Sequence, residues 1–495
     1  VALAAAEADQ GPATVERVRR VGLIAWQRLC ALPAIVQDGW LYLVSAAFAG
    51  LTAVAAGSSD YRGWGEIASI TYGAAALVCF AVARFAQGTR HPPRVSAIAR
   101  RTVLVLVLGG AVLAPLAAQL VWRAEGVPGQ HAQPEVAVVE RAGDRVAHNE
   151  DPYLAHPTTV GTGPQTDGKK VDESSFFPYL PGMVPFGLVN AVKLPAELQD
   201  ARVALTGFTL VVGAVALLWS DASLGRRGRA LQFLVVLPSG ALPMVTGGDD
   251  LPVLALMLLG VVLAEQRRPV LAGIVLGLSG TLKFTAWPLL VLMLFAVRDR
   301  EERPAPIRFA LAATLVVAPV LGVGVLLDPA SFFDNVVRFP LGLTRVHSPA
   351  ASPLLGQVLV SADPRHKVLI TAGLVVVGAA VVLGSFVRYR PRTPAAVLRF
   401  TGFAMALATL LAPATRFGYL IYPVNMFIWA YLLDGMTARR LARGSGGREL
   451  AAAQSASSTS NTVTDAVLVG PFAPPPLSAG VIATEVGLTT MPTSQ

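Results

Sequence analysis

Long apolar runs, separated by short arginine clusters, constrain this chain more than any other feature. Such runs fall at 40–57, 68–86, 102–122, 203–220, 231–246, 251–264, 270–282, 287–297, 307–327, 368–387, 395–411 and 419–433. A helix that crosses a bilayer needs about 20 apolar residues, since its backbone polar groups find no water there. Read with that ruler, the sequence predicts an all-α, polytopic membrane protein of roughly twelve transmembrane helices. The runs from 231 to 297 are short and broken by Gly and Pro. Discontinuous helices are tolerated where they are buried in protein or line a cavity.

Composition agrees. The chain is 54% hydrophobic and 14% charged, whereas soluble domains carry about 25% charged residues. A net charge of +9 would suit a nucleic-acid partner if the basic residues formed one patch. They lie instead in small clusters between apolar runs, which is the pattern of membrane topology, and no nucleic-acid partner is expected. The clusters are Arg17/Arg19/Arg20/Arg28, Arg90/Arg94/Arg100/Arg101, Arg226/Arg227/Arg229, Arg267/Arg268, Arg298/Arg300/Arg303, Arg388/Arg390/Arg392 and Arg439/Arg440/Arg443. All fall in alternate loops, so one even-numbered topology places them all on the cytosolic side, with both termini. The stretch 123–201, the Gly247–Gly248–Asp249–Asp250 turn, 328–366 and 413–418 then face outward. Cys30 and Cys79 are too few for a disulfide framework. No cleavable leader is expected in 1–39. The excess of Arg over Lys, with abundant Ala, Gly and Val, suggests a GC-rich bacterial genome.

The organisation expected is a cytosolic segment at 1–39, two N-terminal membrane helices at 40–101, a main membrane core at 102–435 and a disordered cytosolic tail at 436–495. The tail is rich in Ser, Thr, Ala and Pro and cannot bury a core.

Chemistry is expected in the outward loops, above all in 133–187. Glu135 precedes apolar positions 136, 138, 139, 142 and 146, which suit a helix lying on the membrane surface. Its carboxylate can serve as a general base, or simply favour a helix N-terminus. Lys283, an ionisable group ending an apolar run, can bind a phosphate or extend its ammonium to the interface. Asp250 precedes Leu251–Pro252 and reads as a helix cap, beside a second acid, Asp249. Arg338, Arg345 and His347 lie in the second large loop, where charged residues are usually solvated, and Arg416 sits beside aromatics. Any of the arginines can hold a phosphate. No cluster has metal-ligand spacing, and no metal or cofactor is expected.

Four stretches taken together resemble a known family. Glu135 is followed by Ala142–Gly143 and then by Pro152–Tyr153. Phe177–Pro178–Tyr179–Leu180–Pro181 comes next. A glycine-rich run, Leu271 to Lys283, precedes Trp287–Pro288–Leu289–Leu290. Between about 102 and 433 the chain is similar to GT-C glycosyltransferases, most of all to glycosyltransferase family 87, the polyprenyl-phosphate-mannose-dependent mannosyltransferases. The family more often carries Asp where Glu135 stands. The resemblance implies a multi-pass enzyme of a bacterial inner membrane with its active site outside. It would move a hexose, such as mannose, from a polyprenyl-phosphate donor to a lipid or glycan hydroxyl, with inversion. Glu135 becomes the implied base, with Glu140 and Asp144 as alternatives. Lys283, Arg416 and Arg338 become donor-phosphate contacts; Asp249, His347, Tyr153 and Tyr179 become sugar or acceptor contacts. A transporter or flippase for a lipid-linked glycan is the competing reading, since broken helices suit it too.

Overall fold

The structure is a computed structural model that describes residues 31–89, 92–126, 130–153, 176–300, 304–340, 350 and 352–444. The N-terminal arginines, Cys30, Arg345, His347 and the expected tail from 445 onward lie outside the described residues.

Every predicted apolar run is helical over most of its length, and no strand occurs among the described residues. The elements are α1 (Ala34–Ala55), α2 (Ser59–Ala86), α3 (Pro92–Leu108), which continues through a π turn into α4 (Ala114–Glu125), and α5 (Pro134–Ala147). A 3₁₀ stretch, Pro181–Ala191, leads to α6 (Ala201–Trp219), α7 (Leu224–Leu231), a second π turn (Gln232–Val236) and α8 (Pro238–Thr246). Then come α9 (Leu251–Glu265), α10 (Pro269–Leu282), α11 (Trp287–Arg300), α12 (Pro304–Leu327) and α13 (Pro329–Phe333). The last are α14 (Leu355–Ala362), α15 (Lys367–Tyr389), α16 (Pro394–Leu411) and α17 (Ile421–Gly444).

Seven of the described helices are long and apolar enough to cross a membrane, or up to 8 if the pair bent by 41° at Pro238 is one span. The sequence expectation of about twelve is therefore established only in part. α9 and α10 are shorter apolar helices, and the apolar stretch of α11 with the turn before it (284–298) is shorter too.

Burial explains the apolar patterns. α9 is apolar on every side because nearly every one of its residues is buried; it is the central post of the bundle. α15 is also largely apolar but has no buried residue, the opposite situation, suited to a helix surrounded by hydrocarbon. The N-terminal pair α1 and α2 is built into the bundle through the π turns Gly109–Leu113 and Gln232–Val236. Such turns leave carbonyls without helical partners. Trp64 Nε1 donates to Ala111 O at 3.1 Å, and Tyr72 Oη donates to Val236 O at 2.5 Å.

Charged residues gather at two opposite ends, as the arginine pattern predicts. At one end Asp38 pairs with Arg100 (2.5 Å) and Arg229 (2.8 Å), although their loops are far apart in sequence. Arg100 and Arg123 stand near opposite ends of one continuous helix, 93–125. Around Arg123 the second network forms. It holds both Glu140 oxygens at 2.7 Å and Asp200 at 2.5 Å. Asp200 caps α6 and pairs with the fully buried Arg202 at 2.7 Å.

This network seats α5, whose placement differs from the surface-lying helix expected. Val136, Val138, Val139 and Ala142 are buried in protein, against the 3₁₀ stretch. The reason is glycine. A methyl group on Gly187 would lie 2.0 Å from Val139 O, and one on Gly143 2.2 Å from the Gly187 carbonyl carbon. Only at glycines can the two backbones approach so closely.

Candidate active site

Five segments distant in sequence converge at the Arg123 end of the bundle. Glu135 is in the first turn of α5, and its Oε1 accepts from Arg416 at 2.5 Å. The Glu135 side chain is 21% exposed and that of Arg416 36%. Lys283 follows α10 in extended conformation. Its Nζ lies 2.6 Å from Asp249 Oδ2, 2.6 Å from Asp250 Oδ1 and 5.0 Å from the centre of the Tyr179 ring. Tyr422 Oη, at the start of α17, donates to the same Asp250 oxygen at 2.6 Å and accepts from Thr285 Oγ1 at 2.7 Å.

Loops laid across helix ends bring these groups together. The last carbonyls of a helix have no internal partners. Leu180 N donates to Leu282 O (3.1 Å), which sets Tyr179 beside Lys283. Gln133 N donates to Thr246 O (2.8 Å), which sets the start of α5 beside the Asp249–Asp250 turn. Tyr153 is buried below, its hydroxyl donating to Tyr179 O at 3.0 Å.

The electrostatics separate the two aspartates. Burial opposes the charge on Asp249, but the Lys283 ammonium outweighs it and holds the carboxyl below its ordinary value. Burial raises Asp250 above its ordinary value, Lys283 opposes that, and the neighbouring Asp249 adds to it. Burial disfavours the charge on Arg416, yet Glu135 overrides this and the guanidinium is held charged. The Tyr179 phenol is raised well above its usual value, by burial first and then by Asp249 and Glu135. One carboxylate–guanidinium pair thus stands beside an ammonium held by two acids and walled by phenols, a set able to move a proton and orient hydroxyl groups. Among the described residues no group of three or more His, Cys, Asp or Glu could hold a metal ion.

The site joins Glu135, Arg416, Lys283, Asp249 and Tyr179, with Tyr153 supporting Tyr179. Arg338 stands apart. It bonds Asp334 four residues back at 3.0 Å, and its side chain is 58% exposed. Glu140 is held between Arg123 and the Ala201 amide (3.0 Å), and Asp144 lies half-exposed beside His148. Two sequence readings are corrected. Asp250 does not cap α9 through its side chain; its backbone is helical at φ −79° and ψ −24°, and the carboxylate turns to Lys283 and Tyr422. Lys283 does not reach to an interface; it is 12% exposed and satisfied by acids. Tyr422 was the residue sequence reasoning missed, and Asp250 was given the wrong role. The only signal for Tyr422 is a hydroxyl at the start of an apolar run.

No curated protein matches the chain. A family model does, and the match begins at the Pro178–Tyr179 stretch, takes in Asp249, Asp250, Lys283 and Arg338, and ends just before Arg416; Glu135 and Tyr153 precede it. The matched residues are fewer than the 102–433 over which the resemblance was drawn. Over residues 178–413 the chain matches the model of Glycosyltransferase family 87, which supports a membrane glycosyltransferase.

Proposed function

We propose that the protein transfers a hexose, mannose in the first instance, from a polyprenyl-phosphate carrier to a hydroxyl of a lipid or glycan, at the outer face of a bacterial cytoplasmic membrane. The observation that carries this reading is the Glu135–Arg416 pair beside the Lys283–Asp249–Asp250 cluster. Glu135 takes the proton of the acceptor hydroxyl as its oxygen bonds to the anomeric carbon. The bond from that carbon to the phosphate oxygen breaks, and its electron pair leaves with the phosphate. One displacement inverts the anomeric centre. Protonation of Glu135 dissolves its ion pair, which frees the Arg416 charge for the phosphate as the negative charge there grows. Lys283, already neutralised by acids, acts mainly by holding Asp249 and Asp250 toward the sugar hydroxyls. Tyr179 walls the sugar pocket.

The test is transfer of labelled mannose from polyprenyl-phosphate-mannose into membrane lipids by the purified protein, beside Glu135→Gln. Transfer that is lost in the variant, with donor binding kept, supports enzyme and base together. Translocation of a lipid-linked glycan without consumption of the donor would replace this reading with the transporter.

A further inference from the structure

The N-terminal pair α1–α2 lies outside the family-matched residues, yet it reaches the candidate site. The first turn of α2 grips the segment that leads into α5. Ser59 Oγ accepts from His131 N at 3.2 Å, and Tyr61 Oη accepts from Gln133 Nε2 at 2.5 Å. His131 has a left-handed backbone, φ 60°, rare for a residue other than glycine. It is held there by Ser59 on one side and, through its carbonyl, by Arg202 at 2.8 Å on the other.

Gln133 is the joint. It occupies the N-cap position of α5, but its side chain makes no capping bond. Its amide nitrogen goes to Tyr61, and its backbone N–H goes to Thr246 O. Its amide oxygen lies against Gly247, where an added methyl group would come within 2.4 Å of it. Gly247 begins the turn that carries Asp249 and Asp250, and Glu135 follows Gln133 by two residues. One glutamine side chain thus stands between the two halves of the site, and a single phenol on α2 fixes it.

We propose that Tyr61 is a positioning residue of this site. Its phenolic oxygen fixes Gln133, and Gln133 fixes Glu135 relative to the Asp249–Asp250 turn. The N-terminal helix pair is then a working part of the enzyme. This rests on the function proposed above, with Glu135 as base.

The test uses the full chain in detergent. Tyr61→Phe removes the acceptor oxygen and keeps the ring in its packing. The expected result is a fall in kcat of about tenfold with KM within about twofold, since an interaction that orients the base counts in the transition state and not in donor binding. Gln133→Ala combined with Tyr61→Phe should lose no more than Gln133→Ala alone, because the two act as one unit. An unchanged kcat, a change confined to KM, or losses that multiply would overturn the proposal. A second readout does not depend on the reaction. The thiol of Glu135→Cys should react severalfold faster with a charged maleimide when Tyr61 is also Phe; equal rates would overturn the proposal. Absence of transfer by the wild-type chain would count against the proposed function instead, and the thiol rates would still decide the role of Tyr61.

Discussion

Glu135 and Arg416 meet at 2.5 Å although 281 residues separate them. Their contact ties the first turn of α5 to the 3₁₀ turn that precedes the last helix. It also divides the polar residues near it into those that face the site and those that build the scaffold. Glu140, five residues after Glu135, is spent on Arg123 and the α6 N-terminus.

Glu135→Gln should therefore cost transfer about 10²–10⁴-fold, the usual contribution of a positioned base. Asp144→Asn, at a half-exposed carboxylate away from Arg416, should stay within about twofold by the same criterion. Initial rates for the two variants, measured with one donor and one acceptor, check this; equal losses would remove Glu135 from its role.

Arg416 and Lys283 should separate activity from stability. Arg416 is more than one-third exposed, so Arg416→Ala should lose transfer with little change in thermal unfolding. Lys283→Ala leaves two largely enclosed carboxylates, 14% and 18% exposed, without their cation, a defect of up to about 3 kcal/mol. It should lower the unfolding temperature, and Lys283→Ala combined with Asp250→Asn should recover part of that loss. Thermal unfolding in detergent measures both.

Gly187→Ala should destabilise by about 1–3 kcal/mol or more, the cost of overpacking, because the new methyl group would meet the Val139 carbonyl. Relief requires α5 to move, so transfer should fall even under conditions where the protein stays folded. A variant that unfolds normally and transfers at the wild-type rate would show that the two backbones are further apart.

Asp200 gives a pH prediction. Burial would raise its pKa, but Arg202 and Arg123 outweigh burial and the folded value is depressed. A depressed carboxylate contributes stability that is fully present above its unfolded value, about 3.9, and lost as pH falls through the lower folded value. Unfolding temperature should thus decline below about pH 4, and Asp200→Asn should flatten that decline while being less stable at neutral pH. Melting curves across pH 2–7 check it.

Cysteine labelling should place the two ends of the bundle. Asp144→Cys, on the half-exposed part of α5, should react with an impermeant maleimide on intact cells. Arg390→Cys, at an exposed turn of the arginine-bearing end, should react only after permeabilisation. The reverse pattern would invert the topology proposed.

The helices were legible because each apolar run records its own burial in lipid or protein, residue by residue. Their ends matched closely: the run read as 368–387 is the helix Lys367–Tyr389, and the run read as 203–220 is Ala201–Trp219. Span count was less legible, because α9, α10 and α11 are apolar for a different reason. α9 is surrounded by protein, and composition does not distinguish protein from lipid as an apolar surrounding. At the site, the grouping of Glu135, Asp249, Lys283 and Arg416 followed from their loops sharing one side of the arginine pattern. The local roles of Asp250 and Lys283 did not follow. A helix-capping reading of Asp250 uses only its immediate neighbours, and Lys283 and Tyr422 are 33 and 172 residues away.

The sequence by itself determined that this is a helical membrane chain, which loops share an end, and which of those loops carry ionisable groups. These are properties of local composition, since each segment partitions largely on its own transfer free energy. Only the tertiary structure decided which acid meets which cation. That choice depends on ångström-scale approaches between distant backbones, such as Gly187 against Val139, and on which carboxylate a buried ammonium can reach. It also decided that the N-terminal helices reach the site, because a single phenol at the head of α2 falls within hydrogen-bond distance of Gln133.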